Sequence, residues 1–287
     1  MRILTILAAA IALMAAVPAA CAADWRDQGA RSLIVTYQVA PADRLAFKAE
    51  VRRSTLPRLE GLRASGGLQS YHVLMSRYVD SAAWDVMAIL NFRSAEDLAR
   101  WRAIEAAAPA GLDPQALRLV RGIASAPADP ARAGTSRSVP SEAPVYLVVP
   151  YDYLVSTDDY LAYVDGYLLP QANGWMDAGA LDAFGVYLAR YYPGRPWSSM
   201  LLLQYHGDAG LARRDAVVKA VRASLASSSP EWKKIADTKS NVRVEKLAVV
   251  ADELLPEPAP KLVPKGRRDT RGVHSEPGRA RPYLHIP

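Results

Sequence analysis

A single cysteine, Cys21, is all the thiol this chain of 287 residues carries, and it has only four histidines and three phenylalanines. One cysteine forms no internal disulfide and supplies no Cys-rich zinc site, so the fold must be held by its apolar cores. If the leader described below is cleaved after Cys21, a cysteine nucleophile is excluded as well. The signatures Gly-x-x-x-x-Gly-Lys-Ser/Thr, Gly-x-Ser-x-Gly and His-Glu-x-x-His are absent. Their absence argues against P-loop nucleotide, lipase-type and zincin chemistry.

The formal charge of +6 is concentrated at the ends. Seven basic residues between Lys261 and Arg281 face Glu257, Asp269 and Glu276, so residues 256–287 carry +4, and Arg2 adds one more. The region between is nearly neutral, which excludes nucleic acid as a partner by charge. The tail, rich in Pro and Gly and without apolar periodicity, reads as disordered and basic. At the other end, Met1-Arg2, the apolar run Ile3 to Val17, Pro18 and the small residues Ala20-Cys21-Ala22 read as a signal peptide over 1–23. The expectation is an exported protein, periplasmic or secreted. Membrane attachment is expected only if Cys21 is lipidated, and Pro18 stands where such a signal prefers Leu, Val or Ile.

The middle of the chain repeats itself. Shifted by 113 residues, positions 47–100 align without a gap on 160–213, with 16 of 54 identical; average residue usage gives roughly four by chance. Leu56-Pro57 meets Leu169-Pro170, Gly61 meets Gly174, Arg77-Tyr78 meets Arg190-Tyr191, and Trp84 meets Trp197. Residues 127–144, with four prolines among Ala, Ser and Gly, read as a linker. That divides the mature chain into a first module over 24–126 and a second over 145–255.

Each copy shows the same order. In the first, Leu33–Val39 is a strand, and a helix capped by Asp43 runs to Gly66-Gly67. Ser70–Tyr78 and Trp84–Phe92 are strands, a second helix starts at Ser94, and Leu117–Ala124 closes the unit. The second has strands at Tyr146–Tyr153, Ala183–Tyr191 and Trp197–Tyr205, helices from Thr157 and Asp208, a short helix at Pro230, and a closing strand Val242–Val250. The order β-α-β-β-α-β predicts an α+β fold of two tandem ferredoxin-like modules. Strands apolar on both faces need cover on both, and the sister module supplies it, giving an intramolecular dimeric α/β barrel.

This texture resembles the dimeric α/β-barrel superfamily, closest to NIPSNAP-like and antibiotic-biosynthesis-monooxygenase-like modules. The likeness is carried by the Leu56-Pro57 helix, the two middle strands, the Ser94-Ala95-Glu96-Asp97-Leu98 start and Ser229-Pro230-Glu231-Trp232. In the first copy Asp113-Pro114-Gln115 lacks the Trp. The resemblance implies the fold and a range of roles: small-molecule binders, cofactor-free oxygenases, isomerases and haem proteins.

Candidate ligand-binding residues follow from the pattern. His72 has either a structural or solvent-facing role or that of a general base or polar contact inside the barrel, and since His72 and His206 are unrepeated, no metal site is expected. With no histidine on a helix to ligate haem, no cofactor is expected. Arg77 and Arg190 are repeated charges in apolar strands, able to pair with carboxylates or to contact a ligand. Trp84 and Trp197 fill core or stack on an aromatic ligand. Tyr78, Tyr187 and Tyr191, beside small residues, offer hydroxyls to it, and Asn91 and Gln204 are equivalent amides near the other end of the sheet. Three roles stay open: binding a small apolar or aromatic molecule between the modules, cofactor-independent oxygenation or isomerisation with His72 and Tyr78 or Tyr191 as acid and base, and a non-catalytic interaction scaffold.

Overall fold

The structure is a computed structural model and describes residues 25–256. The segment read from sequence as a signal peptide, with Cys21, and the basic stretch after Pro256 lie outside the described residues. The first half runs β1 (Ser32–Val39), α1 (Arg44–Glu50), α2 (Leu56–Ala64), β2 (Ser70–Ser76), β3 (Val86–Asn91), α3 (Ala95–Ala107), α4 (Pro114–Leu117) and β4 (Val120–Thr135). The second runs β5 (Val145–Tyr153), α5 (Thr157–Tyr163), α6 (Leu169–Asp177), β6 (Leu181–Ala189), β7 (Ser199–Tyr205), α7 (Gly207–Ala212), α8 (Arg214–Ser228), α9 (Pro230–Thr238), β8 (Arg243–Glu245) and β9 (Val249–Glu253).

Local chemistry sets these boundaries. Ser94, Asp113, Ser156 and Ser229 each accept a bond from a backbone N–H of the helix they cap. A wide π turn joins α1 to α2 (Val51–Thr55) and α5 to α6 (Val164–Leu168). Pro57 and Pro170 follow these turns at matching places, and a proline has no N–H to give the preceding turn.

All strand pairs are antiparallel, and the sheet closes on itself in the order β5-β7-β6-β4-β1-β3-β2-β9, with β9 returning to β5. The last strand of each half crosses to the other. β4 pairs with β1 and then runs on beside β6, from Ala128↔Ala189 to Thr135↔Ala183. β8 and β9 line β5, and β9 then joins β2, from Ser76↔Ala251 to Leu74↔Glu253. Eight positions around the ring thus make a closed barrel without free edges.

Several expectations are corrected here. The Pro-rich stretch is not linker over residues 127–135: β4 continues through it, because Pro130 falls at a register shift where the ladder needs no N–H. The strand expected at Leu117 starts at Val120, after α4. The closing strand is broken at residues 246–248. Asp43 makes no side-chain cap bond; a 3-10 turn over Pro41–Asp43 leads into α1 instead. Tyr78 and Tyr191 lie past the ends of β2 and β6, 69% and 77% exposed, so they do not face the interior. Tyr191 leaves the strand outright, with φ +53.

Three cores result. The first-half helices cover one sheet surface through Phe47, Leu56, Leu59 and Trp101, and the second-half helices cover another through Tyr160, Tyr167, Trp175 and Trp232. The third fills the barrel. The helix layers differ at one matched pair of glycines. A Cβ on Gly61 would meet nothing within 4 Å, whereas one on Gly174 would lie 2.6 Å from Val221 Cγ1 and 3.2 Å from Cγ2 of α8. Gly61→Ala is therefore expected to stabilise the protein by about 0.5–1 kcal/mol through helix propensity. Gly174→Ala is expected to cost about 1–3 kcal/mol, because Val221, stiff at χ1, must shift to make room for the new methyl. Urea midpoints of the two variants check this; equal shifts would mean α8 is not packed there.

Candidate functional site

Strand register sorts the barrel interior into layers. Ser32 pairs with Asn91 and Ala128, Ile34 with Ile89 and Ala126, and Thr36 with Met87 and Ala124. Across the ring, Tyr146 pairs with Gln204 and Ala251, Val148 with Leu202 and Val249, and Pro150 with Met200. Side chains of paired residues share a face. One end of the barrel is therefore polar, the middle is filled by Ile34, Ile89, Val148 and Leu202, and the other end holds Thr36, Met87, Pro150 and Met200.

At that last end the side chains leave a cavity of about 360 Å³. Trp84 and Trp197 line it, with Thr36, Gln38, Met87, Gly122, Ala124, Pro150, Pro196, Met200 and Val249. Ile123 and Leu247, 41% and 48% exposed, form part of the lining near solvent. Lys246 also lines the cavity, but its ammonium donates to the Pro196 carbonyl at 2.6 Å and pairs with Asp152 at 2.5 Å. Those bonds, and Lys246 N to Pro150 O at 2.9 Å, fix the break between β8 and β9 beside the opening.

The polar end is a network. His72 Nδ1 is 2.8 Å from Glu253 Oε1, and the Tyr146 hydroxyl donates to Glu253 Oε2 at 2.8 Å. Ser32 donates to Asn91 Oδ1 at 2.7 Å, and Asn91 Nδ2 donates to Ser70 Oγ at 3.0 Å. Burial first, then the Glu253 carboxylate, push the Tyr146 phenol far above its usual range, so it remains a donor. Burial likewise raises Tyr187, opposed by its hydrogen bond with Asn91. His206 makes a separate pair with Asp182 at 2.8 Å, half-exposed.

Of the residues singled out from sequence, Trp84 and Trp197 come together at the cavity. His72, Asn91, Tyr187 and Gln204 belong to the opposite end. Arg77 bonds Asp252 through Nη2 at 2.6 Å and also pairs with Asp208, while Arg190 bonds Asp129 at 2.7 Å. Both arginines thus tie one half's hairpin to the other half's last strand. Sequence reasoning missed Tyr146 and Glu253, which fall outside the gap-free aligned window, and Gln38, Met87, Met200 and Lys246, whose types carry no special signal. The second half is also rich in tyrosine, and most of these rings are buried. Tyr153, Tyr160, Tyr163, Tyr167 and Trp232 stack in a buried column with ring centres 4.7–6.0 Å apart.

Among the described residues no three His, Cys, Asp or Glu side chains group as a metal site, and no helix is long and apolar enough to cross a membrane. No family model and no curated protein matches the chain. Solved structures do. A candidate monooxygenase from Lactobacillus acidophilus NCFM is 12% identical, with TM-score 0.50, covering 79% of this chain and 95% of its own. Another, from Fusobacterium nucleatum subsp. nucleatum ATCC 25586, is 11% identical, with TM-score 0.50 and coverage of 79% and 94%. An anthrone oxidase-like protein is 13% identical, with TM-score 0.49, over 82% and 98%. At such identity the first two likenesses bear on architecture alone: this chain shares an α+β fold with them, here an eight-stranded antiparallel barrel with helices outside it.

Proposed function

We propose that the chain is an exported protein, made by tandem duplication of one NIPSNAP-like ferredoxin-like module, that binds a small apolar or aromatic molecule in the cavity between Trp84 and Trp197. The observation that carries the reading is the cavity itself. Its volume, about 360 Å³, lies in the range of small-molecule sites. Two indoles and two thioethers, from matched positions of β3 and β7 and the turns before them, supply polarisable walls for a flat ring. Lys246 is committed to protein partners, so the lining offers shape and apolar contact rather than acid–base groups. That favours binding over oxygenation or isomerisation in this cavity, and the open mouth favours it over a filled scaffold. Duplication is supported by the repeat in the sequence and by the matched crossovers of β4 and β9.

The test is native mass spectrometry of residues 24–287 purified from the native host, beside a denatured sample, with thermal shifts across aromatic and quinone compounds. A small molecule present only in the native spectrum, or a melting-temperature rise of several degrees, is expected. A clean apo mass with no shift across the panel would leave the scaffold role in front.

A further inference from the structure

The trio at the polar end has no counterpart in the other half. By strand register, Tyr146 occupies the place of Ser32, since they pair with the matched residues Gln204 and Asn91. Glu253 occupies the place of Pro130, since they pair with Leu74 and Tyr187. His72 stands where the repeat has Gly185, and there the Tyr187 ring takes the space, 3.1 Å from where a Cβ would be. The fold therefore closes this position with Gly, Ser and Pro. What the crossovers need is met in both halves by Arg77–Asp252 and Arg190–Asp129. The His72–Glu253–Tyr146 constellation is an addition that barrel closure does not require.

Its bonding is directional. Glu253 receives the Tyr146 hydroxyl on one oxygen and faces His72 Nδ1 with the other. A carboxylate at Nδ1 holds that nitrogen in its N–H form, leaving the Nε2 lone pair free. The His72 side chain is 29% exposed, so solvent and a ligand can reach it at this barrel end. Glu253 is bonded to His72, Asp182 acts on the neighbouring Tyr146 phenol, and Arg77 and Arg190 are bonded to Asp252 and Asp129, so the site suits a ligand that arrives neutral and becomes an anion only as the imidazole becomes a cation beside it. Ser70, Asn91 and Tyr187 beside it supply hydroxyl and amide groups.

We propose that this end of the barrel is a second site, in which His72 is the general base for a neutral ligand bearing a weakly acidic hydroxyl, a phenol or an enol. The ligand O–H bond breaks, the proton forms a bond with Nε2, and the electron pair stays on the ligand oxygen as a phenolate or enolate. Glu253 is a positioning residue: it fixes the tautomer and offsets the imidazolium charge.

The probe is 4-nitrophenol, whose anion absorbs where the neutral form does not, with its methyl ether 4-nitroanisole as the control that has no proton to give. In buffer only just acidic to the 4-nitrophenol titration, where free 4-nitrophenol is mostly neutral and an ordinary imidazole is still largely unprotonated, the full chain is expected to raise a saturable increase in the phenolate band over that of buffer alone. His72→Gln abolishes it, Glu253→Gln weakens it by about tenfold, and His206→Gln leaves it. Uptake into the Trp84/Trp197 cavity, which has no free base, gives no such band. Circular dichroism and the melting temperature verify that each variant is folded; Glu253→Gln keeps the side-chain shape and so tests the charge alone. No band with the full chain, or a band that survives His72→Gln, overturns the proposal.

Discussion

Asp85→Ala is expected to cost about 3–5 kcal/mol of stability, while the matched Ser198→Ala costs about 1–2 kcal/mol. Both side chains do the same job at the end of a first strand. Asp85 Oδ2 accepts the Val39 N–H at 2.7 Å, and Ser198 Oγ accepts the Tyr153 N–H at 3.0 Å. The difference is what else each holds. Asp85 also pairs with Arg44, each side chain 9% exposed, and Arg44 donates to Ser76 Oγ at 3.1 Å and to the Ser76 carbonyl at 2.7 Å. Removing the carboxylate leaves a guanidinium inside the protein with neutral acceptors only, and an uncompensated buried charge is the expensive outcome. Removing the Ser198 hydroxyl orphans one N–H. Urea denaturation of the two variants settles the comparison. Losses within about 0.5 kcal/mol of each other would mean that water reaches Arg44 and the pair is not buried in solution.

The barrel was legible in the sequence wherever the two copies could be laid on each other. Within 47–100 and 160–213 the matched prolines mark the same π turn, and Trp84 and Trp197 arrive at the same cavity. The strand pairs were visible as apolar, β-branched and aromatic runs bounded by turn residues in both copies. Legibility failed where a feature depends on the halves meeting. Pro127 and Pro130 look like linker to any rule that treats proline as a break, yet they sit in a strand that changes partners at that point. Tyr78 and Tyr191 are identical across the copies and still lie outside, because the strands end two residues before them, at Ser76 and Ala189. The polar trio draws His72 from one half and Tyr146 and Glu253 from the other. Its members are 74 and 181 residues from His72 in sequence, and no local period links them. The cavity's Gln38, Met87 and Met200 are of types that serve equally in any strand, so only closure of the ring assigns them.

Trp84→Ala is expected to weaken binding of an aromatic ligand at the barrel mouth by about 10–100-fold, or roughly 1.4–2.8 kcal/mol. The difference is one of burial: Trp84 is partly exposed and packs against the interior core without being one of its buried members, so its truncation mainly removes a cavity wall. Trp197 is different. It is 7% exposed and belongs to the interior core with Met200 and Tyr187. Trp197→Ala is therefore expected to reduce affinity similarly and also to cost about 3–5 kcal/mol of folding stability. Tyr191→Ala, on the exposed turn after β6, is expected to change neither. Isothermal titration with whichever compound gives the largest thermal shift, run beside urea melts of the same three variants, separates the two effects. If Trp84→Ala binds within about twofold of the parent, the indole is not a wall of the site, and the ligand must be sought elsewhere in the barrel. Gln38 then refines the ligand's chemistry. Its amide is the exposed polar group of the lining, so Gln38→Leu should favour an all-carbon ring over one bearing a carbonyl or hydroxyl by about 1–2 kcal/mol.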